Sequence, residues 1–282
     1  MANAVYLVAT DLDGTLLDHD DYSYEAALPA LQLLEELRIP VIFVSSKTRS
    51  EILALREELG NEHPFIVENG AAVYIPDGYF TSPPEGSIGA DGFQFREFVP
   101  RRERWTMLLG ALRERFPDSF QDFATAGVDE IAAMTGLSTA QAVRANEREY
   151  SEPVQWRGSA SDLDAFLAAL HEGGARTLRG GRFISVAGGT DKGEAWRWLR
   201  EQYLVAAQGR EAFDLALGDG QNDVPLLEVT HRAALIPAPG RPLPQLERSE
   251  GILRPSGYGP DAWAVAAGDW LKELYTASSP GS

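Results

Sequence analysis

With 282 residues, 44% of them hydrophobic and 24% charged, the chain has the composition of a folded globular protein long enough for two domains, which excludes a disordered tail. Its formal net charge of -17 comes with no basic stripe, so no nucleic-acid partner is expected. There is no cysteine, which excludes disulfides and thiolate metal sites. No segment approaches the roughly 18 apolar residues of a membrane helix, and a cytoplasmic protein with no membrane partner is expected.

In chain order, Val5–Thr10 reads as a strand, Tyr24–Leu37 as an amphipathic helix, Pro40–Ser45 as a second strand, Arg49–Leu59 as a helix and Phe65–Val67 as a third strand. This alternation predicts a parallel sheet with helices on its faces. The rhythm returns at Lys192–Tyr203 (helix), Asp214–Leu217 (strand), Val224–Val229 (helix), Ala233–Ile236 (strand) and Ala262–Leu274 (helix), so both ends of the chain are assigned to one domain, residues 1–82 and 188–282. Between them, residues 83–187 read as an inserted α+β module. Its predicted helices are Arg102–Arg115, Thr139–Arg148 and Ala160–Glu172, with strand segments at Val154–Trp156 and on either side of Arg179-Gly180-Gly181-Arg182. An insertion after a strand's carboxyl end is expected over the edge where open α/β sheets bind ligands, as a cap.

Four motifs carry chemistry. In Asp11-Leu12-Asp13-Gly14-Thr15 a buried strand ends in two carboxylates that start on one face, and the turn that Gly14 permits can swing the second over the first. One carboxylate can bind a hard cation and attack phosphorus while the other exchanges protons with the leaving oxygen. Asp and Gly are also ordinary turn residues, so the rest of the chain has to decide. Ser45-Ser46-Lys47-Thr48, at the second strand's end, offers hydroxyls, N–H groups at a helix start and a lysine, all suited to phosphate oxygens, although a Ser or Thr there would equally serve as a helix cap. Only three of the 25 basic residues are lysine, Lys47, Lys192 and Lys272. Lys192 opens a helix, where the dipole disfavours a cation and a facing anion would explain it. Gly218-Asp219-Gly220-Gln221-Asn222-Asp223 follows a strand and supplies two more carboxylates as a second arm for a hard cation.

In this combination and order the motifs resemble the haloacid dehalogenase superfamily of phosphohydrolases and phosphomutases, over the whole chain apart from details of the inserted module. The resemblance implies a Rossmann-like α/β core carrying an α+β cap and a Mg2+ cofactor. By it Asp11 is the nucleophile and Asp13 the general acid and base. Ser45, or failing it Ser46, holds the phosphoryl group, Lys192 steadies nucleophile and phosphate, and Asp219 and Asp223 form the acidic loop around the metal. Asp11, Asp219 and Asp13, the last through its backbone carbonyl, are the expected ligands.

Within the branch that bears a large cap, further segments resemble the mannosyl-3-phosphoglycerate phosphatase family. They are Ser45-Ser46-Lys47-Thr48, Glu68-Asn69-Gly70-Ala71, Met134-Thr135-Gly136-Leu137, Ala145–Pro153, and the pairing of Gly181-Arg182-Phe183 with Asp191-Lys192-Gly193. Most of the wider branch has Thr-Gly-Arg in place of Ser45-Ser46-Lys47. The phosphate- and substrate-binding set expected on this basis is Ser45, Ser46, Lys47, Asn69, Gly70, Asn222 and Asp223. Cap residues Arg148 and Arg182 would meet a substrate carboxylate through two-pronged pairing, and Glu152 would take sugar hydroxyls; a solvated helix end is the plainer account of the segment around Arg148. The expected partner is a small sugar phosphate, mannosyl-3-phosphoglycerate first, then its glucosyl analogue or sucrose phosphate. A phosphomutase and a non-catalytic sugar-phosphate sensor are the other readings, and the intact set of Asp11, Asp13, Lys192 and Asp219 argues against the sensor.

Overall fold

The structure, a computed structural model, describes residues 4–180 and 182–278; Gly181 of the Gly181-Arg182-Phe183 segment lies outside the described residues. The elements in chain order are β1 (Ala4–Thr10), α1 (Leu28–Glu36), β2 (Val41–Val44), α2 (Arg49–Leu59), β3 (Phe65–Val67), β4 (Ala72–Pro76), β5 (Ile88–Ala90) and β6 (Phe93–Glu97). There follow α3 (Glu103–Leu112), β7 (Phe120–Asp122), α4 (Val128–Thr135), α5 (Thr139–Asn146), β8 (Glu152–Trp156), α6 (Ala160–Glu172), β9 (Arg176–Arg179) and β10 (Ile184–Ala187). The chain closes with α7 (Lys192–Ala206), β11 (Glu211–Gly218), α8 (Val224–Val229), β12 (Arg232–Leu235), β13 (Ile252–Leu253) and α9 (Gly259–Ser278). Two compact units result, one made of Met1–Ser45, Asn61–Arg96 and Asp191–Ser282, the other of Ser46–Gly60 and Glu97–Thr190.

The first unit is built on a nine-stranded sheet in the order β13-β12-β11-β1-β2-β3-β4-β6-β5. From β13 to β3 every pairing is parallel. The sequence explains why: Leu7-Val8-Ala9, Ile42-Phe43-Val44, Phe65-Ile66-Val67 and Leu215-Ala216-Leu217 are continuous apolar runs with no exposed surface, as parallel strands covered on both faces require. Strand alternation shows what covers them. Tyr6 and Thr10, on one face of β1, meet Trp270 and Trp263 of α9, whereas the other face ends in Asp11, which meets Lys192 of α7.

The second unit contains a four-stranded sheet in the order β7-β8-β10-β9, with antiparallel pairings. Phe166 and Leu170 of α6, Trp105 and Leu109 of α3, and Val154 and Ile184 of the sheet form its main core. A smaller cluster holds Ile131 of α4 and Ala142 of α5 around Phe123.

Several boundaries differ from expectation for identifiable reasons. The helix expected from Tyr24 begins at Leu28, after a single 3-10 turn, because Pro29 is tolerated only in a first helical turn. The helix expected to reach Arg148 stops at Asn146, whose backbone oxygen is taken by Nη1 of Arg102 at 2.7 Å. The sheet is not purely parallel: β4 pairs antiparallel with β3, and the hairpin of β5 and β6, within the segment assigned to the insert, extends the same sheet. The hairpin had a sequence signal, since Asp91-Gly92 sits between its strands with both residues at positive φ (54° and 80°), as a tight two-residue turn demands.

Candidate active site

Asp11, Ser45, Glu68 and Asp219 are the residues that immediately follow the adjacent parallel strands β1, β2, β3 and β11. The register aligns those strand ends, with Thr10 opposite both Leu217 and Phe43, and Val44 opposite Ile66. One sheet edge therefore gathers residues far apart in sequence, as open α/β sheets do at their carboxyl ends. After Asp11 the chain turns tightly, Leu17 and Thr15 both donating to the carbonyl of Leu12, with Gly14 at φ 77°. A Cβ on Gly14 would press against Oδ2 of Asp219, so this turn and the β11 loop meet at a glycine.

Lys192 opens α7 and is fully buried; its Nζ donates to Oδ1 of Asp11 and to Oδ1 of Asp223, each at 2.6 Å. Asp191 caps the helix through the amide of Glu194, fixing where the lysine starts. Gly193 allows α7 to close on α8, because a Cβ there would collide with the carbonyl oxygen of Pro225. Burial alone would pull the Lys192 ammonium down, but the Asp11 and Asp223 carboxylates push it above its ordinary value, so it stays charged. Asp223 in turn uses Oδ2 to accept from the amides of Asp219 (3.1 Å) and Gly220 (2.9 Å), which shapes the acidic loop.

Asp11, Asp219 and Asp223 can bring carboxylate oxygens within 4.8 Å of one another. Among the described residues Lys192 is the one ammonium inserted between these carboxylates, and burial together with their mutual repulsion shows in the acidity of Asp11 and Asp219. Burial raises Asp11 well above the ordinary carboxylate range and Asp223 adds to this, with Lys192 opposing. Burial, then Asp223, pushes Asp219 up to about 6, against Lys192 and Arg241. An all-oxygen, charge-deficient group of this kind fits a hard divalent cation such as Mg2+. Asp223, expected both in the acidic loop around the metal and at the substrate, is part of the metal-competent group; the half-buried side chain of Asp13 is not, in keeping with an expected ligation through its backbone carbonyl.

Two features were not foreseen. The hydroxyl of Thr10 donates to the backbone carbonyl of Asp11 at 2.7 Å and accepts from Nε1 of the buried Trp263 at 2.9 Å, a link between α9 and the first motif for which no local sequence signal exists. Asn69 and Gly70, expected at the substrate, form with Glu68 a left-handed turn in which the Asn69 side chain accepts from Nδ2 of Asn222 at 3.2 Å.

In the second unit the residues expected at phosphate or substrate, and Thr48 of the same motif, are engaged internally. Thr48 is the cap of α2, in a reciprocal pair with Glu51, and its hydroxyl donates to the carbonyl of Arg144 at 2.8 Å. Lys47 lies 3.8 Å from Oε1 of Glu51. Arg148 directs Nη1 and Nη2 to the carbonyl of Ser46 (3.3 and 3.0 Å), leaving its buried Nε without a partner among the described residues. Arg182 donates to the carbonyls of Met134 and Thr135. Glu152 has no exposed surface; one carboxylate oxygen accepts from Nε of Arg102 at 2.5 Å and the other from the amide of Ala124 at 2.9 Å, an arrangement that braces β8. Sugar-hydroxyl recognition was expected of that carboxylate; both its oxygens are used inside the unit.

Residues 8–82 match the family model described as haloacid dehalogenase-like hydrolase. Over 267 residues, 94% of this chain and 97% of the relative, the sequence is 36% identical to a glucosyl-3-phosphoglycerate/mannosyl-3-phosphoglycerate phosphatase of Methanococcoides burtonii. The chain belongs to the haloacid dehalogenase-like phosphatases. A second phosphatase of the same name in this family, from Persephonella marina, is 32% identical over 95% of this chain and 98% of its own length. The solved structure of a sucrose-phosphatase from Synechocystis is similar with a TM-score of 0.57 and 15% identity, covering 96% of this chain and 97% of that one, a likeness of fold.

Proposed function

We propose that this phosphatase hydrolyses mannosyl-3-phosphoglycerate to mannosylglycerate and phosphate, with Mg2+ as cofactor and an aspartyl-phosphate on Asp11 as intermediate. The observation that carries the reading is the buried Lys192, held at 2.6 Å from both Asp11 and Asp223 at the edge where Asp219 also stands. Asp11 and Asp219, with the backbone carbonyl of Asp13 and with Asp223 close by, would hold the metal, whose charge when bound offsets that of the phosphoryl oxygens.

In the first step an oxygen of Asp11 attacks phosphorus while Asp13 gives its proton to the departing glyceryl oxygen. Lys192 keeps Asp11 oriented and ionised during the attack, and the Ser45 hydroxyl steadies the phosphoryl group. Asp13, now a carboxylate, then takes a proton from water as that water attacks the phosphorus of the aspartyl-phosphate, and phosphate leaves with Asp11 restored. A sensor would need neither an attacking carboxylate nor a proton-transfer partner. Residues of the inserted module would serve specificity: Arg148, whose buried Nε has no partner among the described residues, and Arg182, two of whose donors are given to Met134 and Thr135, are the candidates for the glycerate carboxylate.

Both named relatives carry the two sugars in their names, so the glucosyl compound is the second candidate substrate. A phosphate-release screen over mannosyl- and glucosyl-3-phosphoglycerate, sucrose phosphate, mannose 6-phosphate and 3-phosphoglycerate, with Mg2+ and after chelation, tests the proposal. Metal-dependent release strongest from the glycosylated glycerates supports it. Preference for a hexose phosphate contradicts the substrate, and transfer of the phosphoryl group within the sugar without release would make the chain a mutase.

A further inference from the structure

One turn touches three of the loops on which the reading above relies. Glu68, Asn69 and Gly70 follow β3 with φ of 47°, 60° and 96°, three successive left-handed residues of which two have side chains. Such a turn persists only where its surroundings hold it. The amide of Asn69 donates to the carbonyl of Ser45 at 2.9 Å, and the amide of Ser45 donates to Ile66 at 3.1 Å, so the residue expected to hold the phosphoryl group is clamped on both sides. Gly70 runs so close to the start of α7 that a Cβ would collide with the carbonyl of Asp191, the cap that sets Lys192. The Asn69 side chain accepts from Asn222, inside the loop whose Asp219 and Asp223 belong to the metal-competent group.

We infer that Asn69 is a positioning residue, which acts through Asn222 to hold the 219–223 loop against Lys192 and does not itself touch the substrate. This rests on the reading of that edge as the phosphoryl-transfer site. Asparagine suits the task because it tolerates a left-handed φ and carries an acceptor beyond it. The carboxylate of Asp223 is useful only while the loop keeps it beside Lys192, and Asn222 joins the loop to the β3 turn. Loss of the link should therefore loosen the metal arm first. A group that supports ligands in this way typically costs about 10–100-fold in metal affinity or activity when removed.

The test compares the full-length wild type with Asn69→Gly, which keeps the backbone conformation and removes the acceptor, with Asn222→Ala, and with the double variant. Two quantities are measured: Mg2+ dissociation constants by calorimetry without substrate, and kcat and KM for p-nitrophenyl phosphate at saturating Mg2+. Each single variant should weaken Mg2+ binding and lower kcat by about tenfold with KM unchanged. The double variant should be no worse than the poorer single one, since both remove one link. A raised KM with unchanged kcat in Asn69→Gly would make Asn69 a substrate contact and overturn the inference, as would multiplicative losses in the double variant. Should Asn69→Gly fail to fold, Asn222→Ala alone decides, an unchanged Mg2+ affinity contradicting the inference. A wild type that binds Mg2+ with the predicted dependence on Asn69 but hydrolyses no ester would leave the inference standing and refute the phosphatase mechanism instead; a wild type with neither overturns both.

Discussion

Lys192 stands 2.6 Å from Asp223 as well as from Asp11, and neither Lys192 nor Asp223 has any exposed surface. The lysine is therefore part of the scaffold as much as of the chemistry. It joins the first motif to the acidic loop through one buried cation, and its removal leaves two buried carboxylates facing each other.

Replacing Lys192 by Met should accordingly cost both stability and activity. Breaking a buried pair by deleting one partner typically destabilises by about 3–5 kcal/mol. Thermal unfolding of Lys192→Met should show a loss of that size, and phosphate release should fall to background. A variant that melts within a degree or two of wild type would show that the carboxylates do not depend on this cation.

Gly193→Ala tests the close approach of α7 and α8. Its Cβ would meet the carbonyl oxygen of Pro225, a backbone atom that cannot rotate away. Overpacking of this kind typically costs about 1–3 kcal/mol, and here the helix that moves carries Lys192. The expected result is a lowered melting temperature together with a loss of kcat at temperatures where the variant is still folded. Unchanged kcat in the folded variant would mean that α7 can shift without disturbing Lys192.

Much of this arrangement was legible in the sequence, and the reasons are local. β3, α2, α6 and α8 fall on their predicted residues because apolar runs and caps such as Thr48 mark their ends. The carboxyl-edge motifs were legible because chemistry demands residue types, two Asp beside a Gly and a rare Lys. Three things were not. The antiparallel extension of the sheet depends on β4 pairing with β3, a tertiary choice that no periodicity reports. The bracing of Glu152 by Arg102, 50 residues away, turns a residue that looked like a ligand-binding acid into part of the packing. The Trp263–Thr10 bond spans 253 residues and is set by where α9 docks.

Glu152 also gives a prediction about pH. Burial outweighs the hydrogen bond and charge of Arg102 and holds this carboxyl above its ordinary 4.5. Because the folded chain then binds the proton more tightly than the unfolded one, the stability this group contributes is full below about 4.5 and is lost as pH rises through its folded value. Measured by chemical denaturation, the difference in unfolding free energy between wild type and Glu152→Gln should move in favour of wild type as pH is lowered from 7 toward 4. Movement toward the variant over that range would show that the Arg102 pair dominates burial.

Chemical trapping of the phosphorylated enzyme tests most directly whether Asp11 carries the phosphoryl group. The wild-type chain is mixed with Mg2+ and excess mannosyl-3-phosphoglycerate, quenched in acid during turnover and treated with borohydride, which reduces an aspartyl-phosphate to homoserine. Peptide mass spectrometry then locates the modified residue. Homoserine is expected at position 11 alone, dependent on both substrate and metal and absent from Asp11→Asn. Modification at Asp13 or Asp219, or rapid phosphate release with no modification at Asp11, would contradict it.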